Sequence, residues 1–314
     1  MRIVFFGTPD FAVASLKSLC DSGFEVVAAV TAPDKPAGRG HKLKASPVKE
    51  YALEQSIPVL QPTNLKSTDF IEELKSYNAD VQVVVAFRML PEVVWNMPKL
   101  GTYNVHASLL PNYRGAAPIN WAIINGEQTT GVTSFKLKHE IDTGSIALQE
   151  EVNIGTDENV GELYQRLMTL GGELIVKTME LLKNDGLTLK PQTESAAHKH
   201  APKLFKENCR IDWSGSMEET HNFVRGLSPF PGAFSHIEVN TETQSWKIHR
   251  TNVPAEQPSS DQSNSLVTFK NKLYARCANG YLEILELQLP GKKRMSAIEF
   301  LNGWKHRLGD VQLR

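Results

Sequence analysis

Three cysteines, Cys20, Cys209 and Cys277, are all that 314 residues contain, and none forms a C-x-x-C pair or stands near a histidine at metal-ligand spacing. That scarcity excludes a disulfide-stapled scaffold and a structural metal site, and it points to a reducing compartment. Long apolar runs are missing too: no stretch approaches the roughly 18 residues of a membrane helix, and the chain opens directly on the strand-like RIVFF. The expectation is a cytoplasmic protein with no membrane partner. Charge of one sign is also lacking, since 34 Lys+Arg face 35 Asp+Glu. The balance hides an asymmetry, because residues 201–314 carry 15 Lys+Arg against 12 Asp+Glu and residues 1–200 carry 19 against 23. A mildly basic C-terminal part suits a polyanionic partner. Two motifs are absent as well. FFGTPDFA (5–12) follows a strand and opens a helix without G-x-G-x-x-G spacing, so a plain strand-to-helix turn is preferred to a dinucleotide site. Ser108 has no G-x-S-x-G elbow around it, which argues for direct attack by a substrate amine rather than a covalent acyl-enzyme.

What is present has the patterning of an α/β protein long enough for two unequal domains. Strands are expected at 2–7, 25–31, 81–87, 102–106 and 132–138, with helical patterns at 10–23, 47–55, 67–77 and 159–183. This alternation predicts a mainly parallel sheet with helices on both faces. Residues 184–204 lose periodicity and fill with Pro, Ser, Thr and His, which reads as a linker. Beyond it, a helix at 216–227 precedes short alternating segments, an Asn279-Gly280 hairpin turn and a closing helix at 296–305. These predict a small β-barrel of OB type, with 254–265 as a low-complexity loop. The division expected is 1–188, a linker at 189–205, and 206–314.

The stretch NVHASLLPNYRGAAP (104–118) carries the candidate chemistry. Alternate strand residues share a face, so Asn104 and His106 project together where the strand leaves the sheet. Asp142, in KHEIDTGSI (138–146), stands in a turn that presents a carboxylate at the sheet edge. Asn104 can donate to a developing oxyanion, His106 can donate or shuttle a proton, and Asp142 can orient the imidazole. His139 is a second imidazole in the same loop, and His106 is preferred because Asn104 shares its strand face. The loop APDKPAGRGHKLKASPVK (32–49) carries Lys35, Arg39, Lys42, Lys44 and Lys49. It either tracks a phosphate backbone or is a solvated basic loop, and local composition leaves both open. Lys206, Arg210, Lys247, Arg250, Lys270, Lys272, Lys292, Lys293 and Arg294 are the C-terminal cations available to such a partner.

Taken together, FFGTPDFA, the basic loop, IPVLQP (57–62), NVHASLLPNYRGAAPI, DTG (142–144), KLFKEN with IDW (203–213) and GKKRM (291–295) resemble the formyltetrahydrofolate-dependent transferases nearly end to end. The basic loop and the barrel resemble, within that group, the members that formylate methionyl-tRNA. The resemblance implies a Rossmann-like catalytic domain joined to an OB-like tRNA-binding domain, with 10-formyltetrahydrofolate as formyl donor, no metal, initiator methionyl-tRNA as acceptor and a monomeric state. It places the catalytic residues on Asn104, His106 and Asp142, the folate contacts on Ser108, Leu109, Leu110 and Pro111, and tRNA contacts on Arg39 and Lys42. Two departures stand out: Glu140-Ile141 precede Asp142 where Gly-Leu is usual, and Arg88 replaces a common Gly. A compensating Arg88–Glu140 ion pair is one expectation. Competing readings are a formyltransferase acting on a small nucleotide-linked amine, a formyltetrahydrofolate hydrolase, and a non-catalytic RNA-binding module.

Overall fold

The strand signals of the first half condense into one seven-stranded sheet in the computed structural model, which describes residues 1–37, 42–193, 195, 197–239, 242–259, 265–304 and 311–313. In chain order the elements are β1 (Arg2–Gly7), α1 (Asp10–Asp21), β2 (Glu25–Val30), β3 (Lys35–Ala37), β4 (Lys42–Lys44), α2 (Pro47–Glu54), β5 (Val59–Leu60), α3 (Thr68–Ser76), β6 (Val81–Val85), α4 (Glu92–Trp95), β7 (Thr102–His106), β8 (Arg114–Gly115), α5 (Pro118–Ile124), β9 (Thr129–Lys136), β10 (Ile146–Asn153) and α6 (Val160–Lys183). The sheet order is β10-β9-β7-β6-β1-β2-β5. Strands β5, β2, β1, β6 and β7 run parallel, and β9 is antiparallel to β7. Ile3 to Phe6 and Val83 to Val85 are buried, as unbroken apolar runs require when helices cover both faces. The sheet grows from β1 towards β2 on one side and from β6 towards β7 on the other. In an open α/β sheet a ligand crevice lies at such a reversal, beyond the carboxyl ends of the strands.

Local chemistry explains the helices on this sheet. Helix α1 buries Phe11, Ala12, Leu16 and Leu19 along one stripe. The Ser46 hydroxyl caps α2 by accepting from the Lys49 N–H at 3.1 Å, with Pro47 at its first position. Gly7 ends β1 because a Cβ there would fall 2.5 Å from that of Ala12. The FFGTPDFA turn is thus a tight strand–helix contact.

The remaining elements are β11 (His200–Ala201), a 3-10 turn at Lys206–Cys209, α7 (Met217–Leu227), β12 (Ala233–Val239), β13 (Glu242–Asn252), β14 (Leu266–Phe269), β15 (Lys272–Cys277), β16 (Gly280–Gln288), β17 (Met295–Ser296), α8 (Ala297–Trp304) and β18 (Val311–Leu313). Their antiparallel sheet has the order β14-β15-β16-β13-β12-β18, with β17 on β16. Its two ends meet where the Leu313 N–H donates to Ser265 Oγ at 2.8 Å, closing the small barrel. Trp246, Phe300 and Ile248 fill it, with the Trp246 and Phe300 rings edge-on at 5.3 Å. Helix α7 opens with a reciprocal Ser216–Glu219 capping box. It packs on α5 at Gly226, where a Cβ would stand 2.7 Å from Ile124.

By backbone contacts the chain divides into two compact units, one of Met1–Gly115, Thr130–Val152 and Tyr164–His200, the other of Ala116–Thr129, Asn153–Leu163 and Ala201–Arg314. Helix α5 and the segment before α6 therefore cluster with the C-terminal strands. Several local expectations shift. The basic segment forms a hairpin, with Lys35 opposite Lys44 and Ala37 opposite Lys42. Arg39 lies outside the described residues, as do residues 260–264 of the low-complexity loop. The two residues turning between β15 and β16 are Ala278 and Asn279, because Gly280 already pairs with Cys277. Strand β10 and helix α5 had no expectation. Among the described residues no helix is long and apolar enough to cross a membrane. The three cysteines are free thiols.

Candidate active site

Strand β7 sits between β6 and β9, with Asn104 paired to Val84 and Phe135, and His106 to Thr133. Asn104 and His106 end this strand on one face, as alternation requires. His106 is buried, and its Nε2 lies 2.8 Å from the Tyr113 carbonyl. A carbonyl can only accept, so Nε2 carries the proton and donates it. Nδ1 is then the ring position left for chemistry, and it faces Asp142 Oδ2 at 3.8 Å. That distance is too long for a hydrogen bond. The orienting contact expected from Asp142 is made instead by the Tyr113 carbonyl, while Asp142 supplies a negative charge beside Nδ1. Half-buried Asn104 has no hydrogen-bond partner for its carboxamide among the described residues. His139 is exposed and is not part of this cluster.

Asp142 stands at φ +54, in the left-handed region, where a non-glycine residue costs about 1–2 kcal/mol. Its loop is held from several directions. The Gly115 N–H donates to Asp142 Oδ2 at 3.0 Å. The Gln192 carboxamide donates to the carbonyls of Asp142 and Gly144 at 2.9 and 2.8 Å. Hydrogen bonds of this kind contribute about 1 kcal/mol each, enough together to offset the backbone strain. Gly144 of the DTG element is a steric necessity, because a Cβ there would lie 1.8 Å from the Lys136 carbonyl oxygen.

The SLLP turn follows β7. Ser108 and Leu110 are buried, whereas Leu109 and Pro111 are half-buried. The Ser108 hydroxyl donates to the Asn112 carbonyl at 2.7 Å, so it shapes the turn from within. Thr133 Oγ1 donates to the Ser108 carbonyl (2.6 Å) and accepts from the Leu110 N–H (3.1 Å) and Gln149 Nε2 (2.9 Å). The result is a fixed turn that leaves Leu109 and Pro111 as its accessible apolar surface. Arg88 and Glu140 have other partners than each other. Arg88 donates to the Pro62 and Thr63 carbonyls, and Glu140 pairs with Lys138 at 3.1 Å. The expected ion pair is replaced by these contacts, which pin the Arg88 loop to the strand-β5 exit.

Two family models match the sequence. The model described as "Formyl transferase" matches residues 1–179, and that of "Formyl transferase, C-terminal domain" matches residues 203–305. The chain belongs to the formyl transferase family. A methionyl-tRNA formyltransferase of Flavobacterium johnsoniae is 50% identical over 303 residues, covering 96% of each chain. One of Bacteroides thetaiotaomicron is 49% identical over 311 residues, covering 97% of this chain and 96% of its own. Among solved structures, a sugar 3N-formyl transferase with dTDP and 5-N-formyl-THF superposes with a TM-score of 0.66 at 19% identity, over 93% of this chain and 99% of that chain. An N-formyltransferase from Helicobacter canadensis gives 0.65 at 20% identity, over 92% and 99%. At such identities the structural likeness concerns the fold alone.

Within this formyl transferase, four contributors to the site escaped the motif reading. Tyr113 acts through a backbone carbonyl, which no side-chain pattern reveals. Thr133 and Gln149 sit on neighbouring strands, far from the SLLP turn in sequence. Gln192 lies in the stretch read as linker, yet that stretch is bound to the sheet unit. Ile146 and Lys190 exchange both backbone hydrogen bonds at 2.8 Å, and the Tyr113 N–H donates to the Lys199 carbonyl at 2.6 Å. Among the C-terminal cations, Arg250 pairs with Glu162 (3.7 Å), Lys270 with Glu256 (2.6 Å), Lys272 with Glu283 (3.0 Å) and Arg294 with Glu286. Arg210 acts electrostatically on the Asp212 carboxylate, whereas Lys206, Lys292 and Lys293 have no carboxylate partner among the described residues.

Proposed function

We propose that this formyl transferase moves the formyl group of 10-formyltetrahydrofolate onto the α-amino group of the methionine esterified to initiator tRNA. The observation that carries the chemistry is the pair Asn104 and His106 on one face of β7, with His106 Nδ1 left open 3.8 Å from the Asp142 carboxylate. The full-length likeness to enzymes named methionyl-tRNA formyltransferase supports the acceptor.

Bound 10-formyltetrahydrofolate supplies an activated formyl group. The chain's residues then have separable tasks. The Asn104 carboxamide donates to an oxygen on which negative charge builds. His106, locked by Tyr113, presents Nδ1 to accept a proton from the attacking amine and to return it to the departing nitrogen. Asp142 stabilises the ring while it carries that proton. An α-amino group has a reference pKa of about 7.7–8.0 and an adjacent ester lowers it, so much of the amine is neutral and nucleophilic at physiological pH. Placement therefore does most of the work. Leu109 and Pro111 form the apolar wall for the donor, with Ser108 and Leu110 fixing the turn. Arg39 and Lys42 of the basic segment, with Lys206, Arg210, Lys292 and Lys293, engage the tRNA backbone. The same reading has the enzyme act as a cytoplasmic monomer.

The test is transfer of labelled formyl from 10-formyltetrahydrofolate to charged initiator methionyl-tRNA, beside elongator methionyl-tRNA and a control without tRNA. Product with the initiator only is the expected outcome. Formate released without tRNA would identify a hydrolase instead, and tRNA binding without product an RNA-binding module.

A further inference from the structure

Gln192 is the residue of the sheet unit whose side chain reaches both sides of the candidate site. Its Nε2 donates to the Asp142 and Gly144 carbonyls at 2.9 and 2.8 Å. Its Oε1 accepts from Arg114 Nε and Nη2 at 3.1 and 2.6 Å. Arg114 in turn precedes Gly115, whose N–H holds the Asp142 carboxylate at 3.0 Å. One carboxamide therefore joins the loop carrying Asp142 to the segment that grips Asp142 from the other side. Only an amide fits both jobs, because the loop offers two acceptors and Arg114 offers donors. Asp142 keeps a left-handed backbone at φ +54, and Tyr113, two residues before Gly115, does so at φ +60. Both strained residues set the surroundings of His106: Tyr113 holds Nε2 and Asp142 faces Nδ1.

We infer that Gln192 is a positioning residue for formyl transfer, fixing the Asp142 carboxylate against His106 by clamping the 142–144 loop to Arg114. This rests on the proposed roles of His106 and Asp142 and adds a residue outside the motifs that carry them. Gln192 touches neither reacting atom. Its effect passes through Asp142.

The experiment measures kcat and KM for both substrates in the intact enzyme carrying Gln192→Glu, Gln192→Met, Asp142→Asn and each Gln192 change combined with Asp142→Asn. Gln192→Glu keeps an acceptor for Arg114 and removes only the loop donors, so it separates the clamp from mere anchoring of Arg114. Gln192→Met removes both contacts without adding charge, and it keeps the test open should the glutamate variant fold poorly. Misplacing a catalytic group by about 1 Å costs on the order of 100-fold, so kcat is expected to fall by about 10- to 100-fold in both single variants, with either KM changed less than about twofold. In the Asp142→Asn background the same changes should cost less than about twofold, because residues acting through one another are not additive. A structural role would instead repeat its full cost there. An unchanged kcat in both Gln192 variants, or a full additive loss in the double variants, overturns the inference. Full activity in Asp142→Asn alone would remove the reading beneath it, and that arm is scored separately.

Discussion

His106 has its two ring nitrogens in different surroundings, and this division decides what each substitution nearby should do. Nε2 is committed to the Tyr113 carbonyl, leaving Nδ1 as the position for proton transfer. Replacing His106 by Ala removes both functions and should lower kcat by about 10²–10⁴-fold, with little change in tRNA affinity, since the group acts in the transition state. Steady-state kinetics alongside tRNA binding checks this, and an equal loss of binding would count against it. Gly144 gives a sharper steric test. Its missing Cβ would stand 1.8 Å from the Lys136 carbonyl oxygen and 3.0 Å from the Phe135 ring, so Gly144→Ala must move backbone rather than a flexible side chain. Overpacking of this kind costs about 1–3 kcal/mol. The shift travels two residues to Asp142, so the variant should lose at least about tenfold in kcat together with a lower Tm. A fall in Tm with kcat intact would mean that the DTG glycine serves folding alone.

At the scale of elements, the site is a strand end braced by its neighbours. Thr133 on β9 is fully buried, and its hydroxyl serves the Ser108 carbonyl, the Leu110 N–H and Gln149 at once. Thr133→Val keeps the shape and removes the hydroxyl, leaving a buried donor and a buried acceptor unpaired, at a cost of about 1–3 kcal/mol. The SLLP turn then loses its brace, so KM for the formyl donor should rise more than KM for tRNA, and Thr133→Ser should restore it. Urea unfolding with donor-dependent kinetics reads both effects. The same elements show why part of the site was legible in the sequence. Strand β7 announces itself by alternation, which placed Asn104 and His106 on one face, and the DTG turn announced Asp142. The parallel sheet was equally visible in the apolar runs of β1 and β6. The braces were not, because Thr133, Gln149 and Gln192 are held by pairings between distant segments, and periodicity carries no record of such pairings. Gln192 is the clearest instance: a segment rich in Pro and Ser lost its helical signal, yet its backbone and side chains bind β10 and the Arg114 segment. Tyr113 was hidden for another reason, since a carbonyl contributes whatever side chain it carries.

For the molecule as a whole, acid stability should be set in large part by the C-terminal unit. His221 on α7 is buried, with Nδ1 2.9 Å from Thr251 Oγ1, Nε2 3.2 Å from the Thr156 carbonyl and Asp157 Oδ1 at 3.4 Å. On the same helix Arg225 donates to the Gly155 and Glu158 carbonyls at 3.0 and 2.9 Å. Burial holds the His221 imidazole below its ordinary value, and Arg225 pushes the same way, against the opposing effects of the Thr156 contact and Asp157. His249 on β13 is likewise lowered by burial, with Arg294 and Lys247 reinforcing it and Gln288 and Glu286 opposing it. Both groups therefore bind protons more readily in the unfolded chain. Their contribution to stability is complete above the ordinary imidazole value of 6.5 and is lost as pH falls from there through the lowered folded values. Each adds a slope of up to about 1.4 kcal/mol per pH unit in that window. Tryptophan fluorescence can follow this unit, because Trp121, Trp213, Trp246 and Trp304 lie in it and only Trp95 lies in the other. Urea midpoints by fluorescence should drop between pH 7.5 and 5.5, and combining His221→Gln with His249→Gln should flatten the difference. If the double variant keeps the wild-type slope, the acid sensitivity belongs to other groups and these two histidines only fill space.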